Sequence, residues 1–490
     1  MIGAYDSVLN DHFSAKHPRI QFIDTKQQSW DGWFRKYDRK NSRIARPLLN
    51  ELIVLCAKHG IPLEVEDLRE APEKVIKDAK EVDPEMLRGI TLEPHQLNAI
   101  KTICGEEVGM ISIPTGGGKT EVAAGIIKHF NMLTVVIADQ RIVIEQIKER
   151  LELRDVVEGG AGLFYGGETP NGQMVVVGSI QSMTSPPLSL KKKNFNQWKS
   201  RVRNAKAFQE IVNKAELLLV DECDKATDKR YRKLFLKHFK GRYRYGFSGT
   251  CFDPAKPVEA LVLKEHLGSI IFEIDRKYLE GIGRIIPIRP YMIAIGEDGD
   301  KGDRMAYDIA EKEHIVENDT YHKAIKKIID AFPHDRNLVL VDTNNVEILG
   351  KALAEKIEDS VFIYGKTSKK KRNEAIEDFK SGKLRCLIGG KILKRGLDIK
   401  GGVHNLIICG GGKLHSDFNQ KTGRAVRQND KGFARLFFFL HLNNYYLYRH
   451  SKEQLKSIIA MGYKAKVLVN GQTIDGEQLV KSKFRLPKRK

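Results

Sequence analysis

Cysteine is scarce in this 490-residue sequence. Its six residues, Cys56, Cys104, Cys223, Cys251, Cys386 and Cys409, are scattered and never form a C-x-x-C pair. That argues against a zinc site or a disulfide framework and for a reducing compartment. No apolar run is long enough to span a bilayer. The opening MIGAYDSVLNDHFSAK has no basic start followed by an apolar core, so no secretion signal is read and a cytoplasmic location is expected. Repeats at solenoid periods and collagen-like bias are missing, as is any nuclease-like cluster of carboxylates. Acid is also in short supply. There are 63 Asp and Glu against 83 Lys and Arg, a net charge of +20. A soluble chain this basic usually meets a polyanion, most often nucleic acid; a merely basic surface is the alternative.

What is present is alternation. Short apolar runs (GMISI, LTVVIA, MVVVGSI, ELLLVDE, YRYGFSG) and, later, NLVLVD, VFIYG, LRCLIGG, NLIICGG and RLFFFL are separated by helical patterns. Runs apolar at consecutive positions suit strands buried on both faces, so the pattern predicts α/β architecture with parallel sheets under helices. The chain is too long for one core. The organisation predicted is a small N-terminal α+β domain over 1–88, a first α/β domain over 89–282 and a second over 283–442. The join falls near YLEGIGRIIPIRP, where Gly281, Gly283 and Pro287 break the pattern. The first α/β domain holds a basic insertion at 186–214. Residues 443–490 supply a hairpin about Asn470-Gly471 and a basic tail.

Between a strand and a helix stands PTGGGKT. Thr115, Gly116, Gly117 and Gly118 form a turn whose backbone N–H groups can surround phosphates, since no side chain blocks the approach, and the helix N-terminus adds positive charge. Lys119 would reach the phosphates and Thr120 would ligate Mg²⁺. The strict G-x-x-x-x-G-K-[ST] pattern fails at its first position, where Ile113 stands. Further on, LLLVDECDKA ends an apolar run with Asp221 and Glu222. Asp221 is read as holding the Mg²⁺ shell and Glu222 as orienting and deprotonating the attacking water. An acidic pair after a strand is otherwise a helix cap. CGGGK at 409–413 is a decoy, since Leu414 follows its lysine; it reads as a strand end and turn. In QKTGRAVRQ, Gln420, Arg424 and Arg427 fall on a short helix, with the two arginines on one face, and would act on the nucleotide as arginine fingers.

Taken together these motifs resemble the superfamily 2 helicases, over the stretch from Leu92 to Leu440. The resemblance implies two tandem RecA-like domains with ATP and Mg²⁺ between them. It makes EPHQLNAI the adenine-side motif with Gln96, IADQRIVIEQ motif Ia, VVVGSIQSM motif Ib, and FSGT motif III. LVLVDTNN becomes motif IV, and GGKILKRGLDIK motif V with Gly396 and Asp398 near the nucleotide. By the same match, Arg141, Ser179, Gln181, Thr343, Lys391 and Lys394 would contact DNA, and Asp224, Ser248 and Thr250 would couple hydrolysis to movement. Within the superfamily the chain looks nearest to the phage UvsW-like and XPB-like branch, through the leader around Trp30, Asp31 and Gly32. A phage-encoded protein in the host cytoplasm is implied. Asp224 stands where the nearest relatives have His, and motif III reads Ser-Gly-Thr rather than Ser-Ala-Thr.

The implied function is an ATP-dependent, monomeric DNA helicase that remodels branched DNA. A duplex translocase that leaves strands paired, an RNA helicase and a non-catalytic ATP switch are the alternatives. Two further expectations concern basic regions. Phe195, Trp198, Val202 and Ala205 should pack the insertion on the first α/β domain, leaving Lys191, Lys192, Lys193, Lys199, Arg201, Arg203 and Lys206 outside, either as a solvated basic face or as a contact for duplex phosphates. Trp30 and Trp33 should pack in the small domain's core, with Arg35, Lys36, Arg39, Lys40, Arg43 and Arg46 making that domain a duplex-binding head.

Overall fold

Strands Val108–Ser112, Thr134–Ala138 and Val175–Ser179 bury every residue. Helices must therefore cover both faces of their sheet. The computed structural model describes residues 5–17, 30–69, 79–165, 168–184, 186, 188–253, 256–296, 304–390, 393, 402–412, 422–423 and 427–481. It forms two compact units, Met1–Asp275 and Arg276–Lys490.

The first unit begins with α1 (Asp6–His12), β1 (Ser14–Lys16), β2 (Trp33–Arg35) and α2 (Leu49–Lys58). β1 and β2 pair antiparallel, and Phe13, Tyr37, Leu48 and Leu55 make a small core. This is the small α+β element expected. Trp33 is not in its core. The ring is 38% exposed, with Lys16 Nζ 5.9 Å above it, and Trp30 Nε1 donates to the Trp33 carbonyl. The basic cluster is also largely spent. Lys36 pairs with Glu265 at 2.5 Å, Arg35 with Asp31 at 2.6 Å, Arg39 with Asp6 at 3.6 Å and Arg46 with Glu107. Two of these four fasten the small element to the rest of the unit, as does Lys264 on Glu51 at 3.0 Å.

The chain then runs α3 (Pro94–Cys104), β3 (Val108–Ser112), α4 (Lys119–Phe130), β4 (Thr134–Ala138), α5 (Arg141–Leu153), β5 (Ala161–Phe164) and β6 (Val175–Ser179). It continues through α6 (Leu188–Lys193), α7 (Phe195–Lys214), β7 (Leu217–Asp221), α8 (Lys229–Lys233), β8 (Tyr243–Ser248), α9 (Pro257–Leu267) and β9 (Ile270–Glu273). The seven strands β3–β9 lie in the order β5-β6-β4-β7-β8-β3-β9, every pairing parallel. Alternate strand residues feed two separate cores. Leu217 and Leu219 join Ile111 and Val136 on one face, while Leu218 and Val220 join Met110 and Val135 on the other. The insertion is helical, as its spacing predicts, but the buried stripe lies further along it. Ala205, Phe208 and Val212 are buried, whereas Phe195 is 53% exposed and stacks on Trp198. Phe208 lies against Gly178 of β6, where an added Cβ would fall 2.4 Å from the ring. The seven basic residues named above are exposed as expected.

The second unit contributes β10 (Ile288–Ile295), β11 (Asn337–Val341), β12 (Ser360–Ile363), β13 (Cys386–Gly389), β14 (Asn405–Cys409), β15 (Ala434–His441), β16 (Lys466–Val469) and β17 (Gln472–Asp475). Their order is β12-β13-β11-β14-β15-β10-β16-β17, parallel except for the last pair. The hairpin turns at Asn470 and Gly471, both with positive φ (49° and 77°), the geometry that Asn-Gly supplies at least cost. β10 starts directly after Pro287, where the sequence predicted an interruption. Cys409 ends β14, as read. Among the described residues no helix is long and apolar enough to cross a membrane.

Candidate functional site

The parallel sheet of the first unit brings the sequence motifs to one edge, because the loops after β3, β4, β6, β7 and β8 all leave from strand C-terminal ends. The loop after β3 is a tight turn. Gly117 N donates to the Pro114 carbonyl at 3.0 Å, and Gly116 and Gly118 take φ of 95° and 83°, conformations other residues adopt only with strain. α4 starts at Lys119, so the first N–H groups of a helix face the loop. Lys119 Nζ donates to the Ile113 carbonyl at 3.1 Å. Lys119, Thr120 and Asp221 are the polar residues lining one small cavity whose other walls are apolar, from Ala123 and Ile127 of α4, Ile147 and Leu151 of α5, and Val136, Leu219 and Phe247 of the sheet.

Two neighbours of the loop come from α3. Gln96 accepts from Glu93 N at 2.9 Å, closing the capping box that starts the helix, and its amide donates to the Gly117 carbonyl at 3.4 Å. His95 Nε2 donates to the same carbonyl at 2.8 Å, from a side chain only 2% exposed. Gln96 was legible in the motif. His95 was not, because a lone histidine on a helix gives no periodic or spacing signal. Gly118 is tight against Gln96: a Cβ there would fall 2.1 Å from Nε2.

Asp221 ends β7, and Glu222 follows at φ 49°, ψ 53°. A non-glycine residue held there costs about 1–3 kcal/mol and persists only where its surroundings impose it. Burial, then the neighbouring Glu222, pushes the Asp221 carboxyl up to about 7, with Lys119 opposing. A buried carboxylate so raised gains from a cation beside it, which fits the donor set for a divalent ion shared with phosphate oxygens. Thr120 and Asp221 are the residues that would hold Mg²⁺. No all-protein cluster of His, Cys, Asp or Glu suited to a metal exists among the described residues.

Asp224 is also raised, to about 6, by burial first and Glu222 next, with the Ser248 hydroxyl opposing. Ser248 Oγ donates to Asp224 Oδ1 at 3.0 Å, and Thr250 N donates to Ser248 Oγ at 3.2 Å. The loop after β7 and the end of β8 are thus joined directly. Ile113 N donates to the Ser248 carbonyl at 3.0 Å, and a Cβ on Gly249 would lie 3.8 Å from Lys119 Nζ, so the end of β8 also touches the glycine loop.

The residues expected to contact DNA are differently placed. Arg141 is paired with Glu145 at 2.7 Å and lies 5.6 Å over the Tyr165 ring. Gln181 Nε2 donates to Asp139 Oδ1 at 2.7 Å, tying the loop after β6 to the loop after β4. Ser179 is buried and its hydroxyl accepts from Ser182 N, so it shapes this turn rather than facing outward. In the second unit, Thr343 donates to Glu311 Oε2 at 2.7 Å. Arg427 sits against Gly402, where a Cβ would fall 2.5 Å from the Arg427 carbonyl oxygen. Lys391, Lys394, Gly396, Asp398, Gln420 and Arg424 lie outside the described residues, as does Lys413 of the decoy.

Comparisons with known proteins agree with this layout. Residues 89–253 match the family described as type III restriction enzyme, res subunit, and residues 319–429 match the helicase conserved C-terminal domain. The chain is 23% identical to the DNA 3'-5' translocase XPB2 of Sulfurisphaera tokodaii over 379 residues, 70% of this chain and 80% of that relative. A fragment of a putative HsdR subunit of a type I restriction enzyme from Vibrio vulnificus YJ016 shares the fold, with TM-score 0.54 at 16% identity, covering 87% of this chain and 75% of that one. T4 UvsW aligns over 95% of this chain and 96% of its own at 16% identity, with TM-score 0.42.

Proposed function

This chain belongs to the superfamily 2 helicases, which are ATP-driven enzymes, and on that footing we propose that it moves on DNA and remodels branched structures: forks, D-loops and four-way junctions. Such work would serve the recombination, repair and replication of a phage genome. One observation carries the motor part of the reading: in a single unit, Lys119, Thr120 and Asp221 line one cavity, and Ser248 bonds Asp224 beside it. Preference for DNA is supported by the likeness to a DNA translocase over 70% of the chain and by the net charge of +20.

In this reading the N–H groups of Gly116, Gly117 and Gly118 cradle the ATP phosphates, and Lys119 leaves the Ile113 carbonyl to neutralise them. Bound Mg²⁺, held by Thr120 and Asp221, supplies charge neutralisation at the phosphates. Glu222 orients and deprotonates the attacking water. Gln96 reads the adenine side, with Gly396 and Asp398 also near the nucleotide. Gln420, Arg424 and Arg427 act on the phosphates as charge develops. Asp224, Ser248 and Thr250 relay hydrolysis to the surfaces that grip DNA through Arg141, Gln181, Thr343, Lys391 and Lys394.

ATPase stimulation and unwinding should be compared across single-stranded, duplex, forked, four-way and RNA substrates. Greatest stimulation and strand movement on forks and four-way junctions is expected. Greatest activity on RNA, or hydrolysis on duplex without strand separation, would replace this reading with an RNA helicase or a pure translocase.

A further inference from the structure

A separate groove lies on the first unit and shares no lining residue with the cavity at the glycine loop. It holds about 270 Å³ and is lined by Thr184, Gln209, Arg230, Lys233, Lys237 and His238. Three separate pieces of chain build it: the turn after β6, the insertion helix α7, and α8 with the wide helical turn Leu234–His238 that continues it. Gln209 Nε2 donates to the Met183 carbonyl at 2.7 Å, which fixes α7 to the turn after β6. Ile180 and Met183 form the floor. π-type turns such as Leu234–His238 are rare in helices and frequent at functional sites; the second unit has another at Lys312–Val316.

The groove has cations and little to balance them. Arg230 is held by Asp228, Nε to Oδ2 at 2.8 Å. Lys233 and Lys237 are exposed and have no carboxylate partner among the described residues. The His238 imidazole is pushed down by burial first, then by Lys237, Lys233 and Lys240, as expected of a ring sitting in an unneutralised positive field. Lys199, Arg201, Arg203 and Lys206, earlier on the same helix α7 that supplies Gln209, are exposed cations too. No Phe, Tyr or Trp is among the side chains lining the groove. A single strand is usually held by stacking its bases on aromatic rings, whereas a duplex keeps its bases inside and offers phosphates.

We propose that the groove between α7, α8 and the turn after β6 binds the phosphodiester backbone of a DNA duplex, with Lys233 and Lys237 as its principal contacts. It adjoins the turn that carries Gln181 and could hold the duplex arm of a branched substrate. In that use it rests on the branched-DNA reading, and it adds to the N-terminal bases, of which Lys36 and Arg46 are tied to Glu265 and Glu107 of the same unit.

The test compares wild type with the double variant Lys233→Ala/Lys237→Ala in the full chain. Affinity for a blunt duplex and for a single strand of equal length is measured across a salt series. Removing one cation from a duplex phosphate should lower the slope of log affinity against log salt by about 0.9, so roughly 2 for the pair. The single-strand slope should hold. An unchanged duplex slope, or equal falls on both ligands, overturns the proposal. Independently, duplex should protect Lys233 and Lys237 of the wild-type protein from acetylation more than a single strand does; equal labelling overturns it as well. Because both assays use plain duplex, they are separable from the branched-DNA reading, which fails instead if wild type shows no preference for forks or junctions over single strands.

Discussion

Ser248 Oγ donates to Asp224 Oδ1 at 3.0 Å, joining the loop that carries Asp221 and Glu222 to the strand whose end bonds Ile113, just before the glycine loop. Residues in such direct contact usually show interaction energies of about 0.5–3 kcal/mol in double-mutant cycles. Asp224→Ala and Ser248→Ala should each lower DNA unwinding more than they lower ATP hydrolysis, and the double variant should unwind no worse than either alone. Additive losses in unwinding would mean that the two side chains act separately.

Lys119→Ala should abolish ATP hydrolysis while the melting temperature stays near that of wild type. The ammonium donates to the Ile113 carbonyl from the end of a half-buried side chain, a small contribution to the fold beside the role proposed for it at phosphates. Wild-type turnover by the purified variant would remove Lys119 from the phosphate site.

Arg427→Ala should reduce single-turnover hydrolysis by about 10³–10⁵, the cost typical of losing an arginine finger, with a much smaller loss of ATP affinity. Nucleotide binding and hydrolysis are measured separately. Equal falls in both would make Arg427 a ground-state ligand.

Asp221 gives a prediction in pH. Its folded-state pKa, about 7, is raised above the ordinary carboxylate value of 3.8. The folded chain therefore binds this proton more tightly than the unfolded chain does, and stability falls as pH climbs from about 4 to about 7. In the absence of nucleotide and Mg²⁺, Asp221→Asn should melt above wild type at pH 8, and the gap should close toward pH 4.5. ATP hydrolysis should be lost at every pH. A variant that melts below wild type at pH 8 would show that the carboxylate is not a destabilising charge.

Much of the motor was legible because its signals are local. Five consecutive buried residues announce a strand such as Thr134–Ala138, and three glycines before Lys119 announce the loop. What escaped the sequence was set by distant partners or by mixed patterns. β10 contains Pro290 and follows Pro287, so it reads as a break. It is a strand because β15 pairs along its whole length, from Ile288 to Ile295. The pairing of Lys36 with Glu265 joins residues 229 positions apart, and no local spacing could show that the N-terminal bases were occupied. The buried stripe of α7 lies about two to three turns further along than the spacing predicts, because Phe195 and Trp198 have the right spacing but bury less than Phe208 and Val212; Ala205 alone belongs to both stripes.

The Asn470-Gly471 hairpin does more than finish the chain's second sheet. β16 pairs beside β10 at Tyr291–Ile293, and β17 follows it. Without them, β10 would present a row of unpaired N–H and C=O groups, the kind of border along which separate copies of a protein stick to one another. The border of the sheet on this side is thus the four-residue β17 rather than the eight-residue β10, and a chain ending at Ala465 is expected to form higher-order species at lower concentrations than the intact chain does.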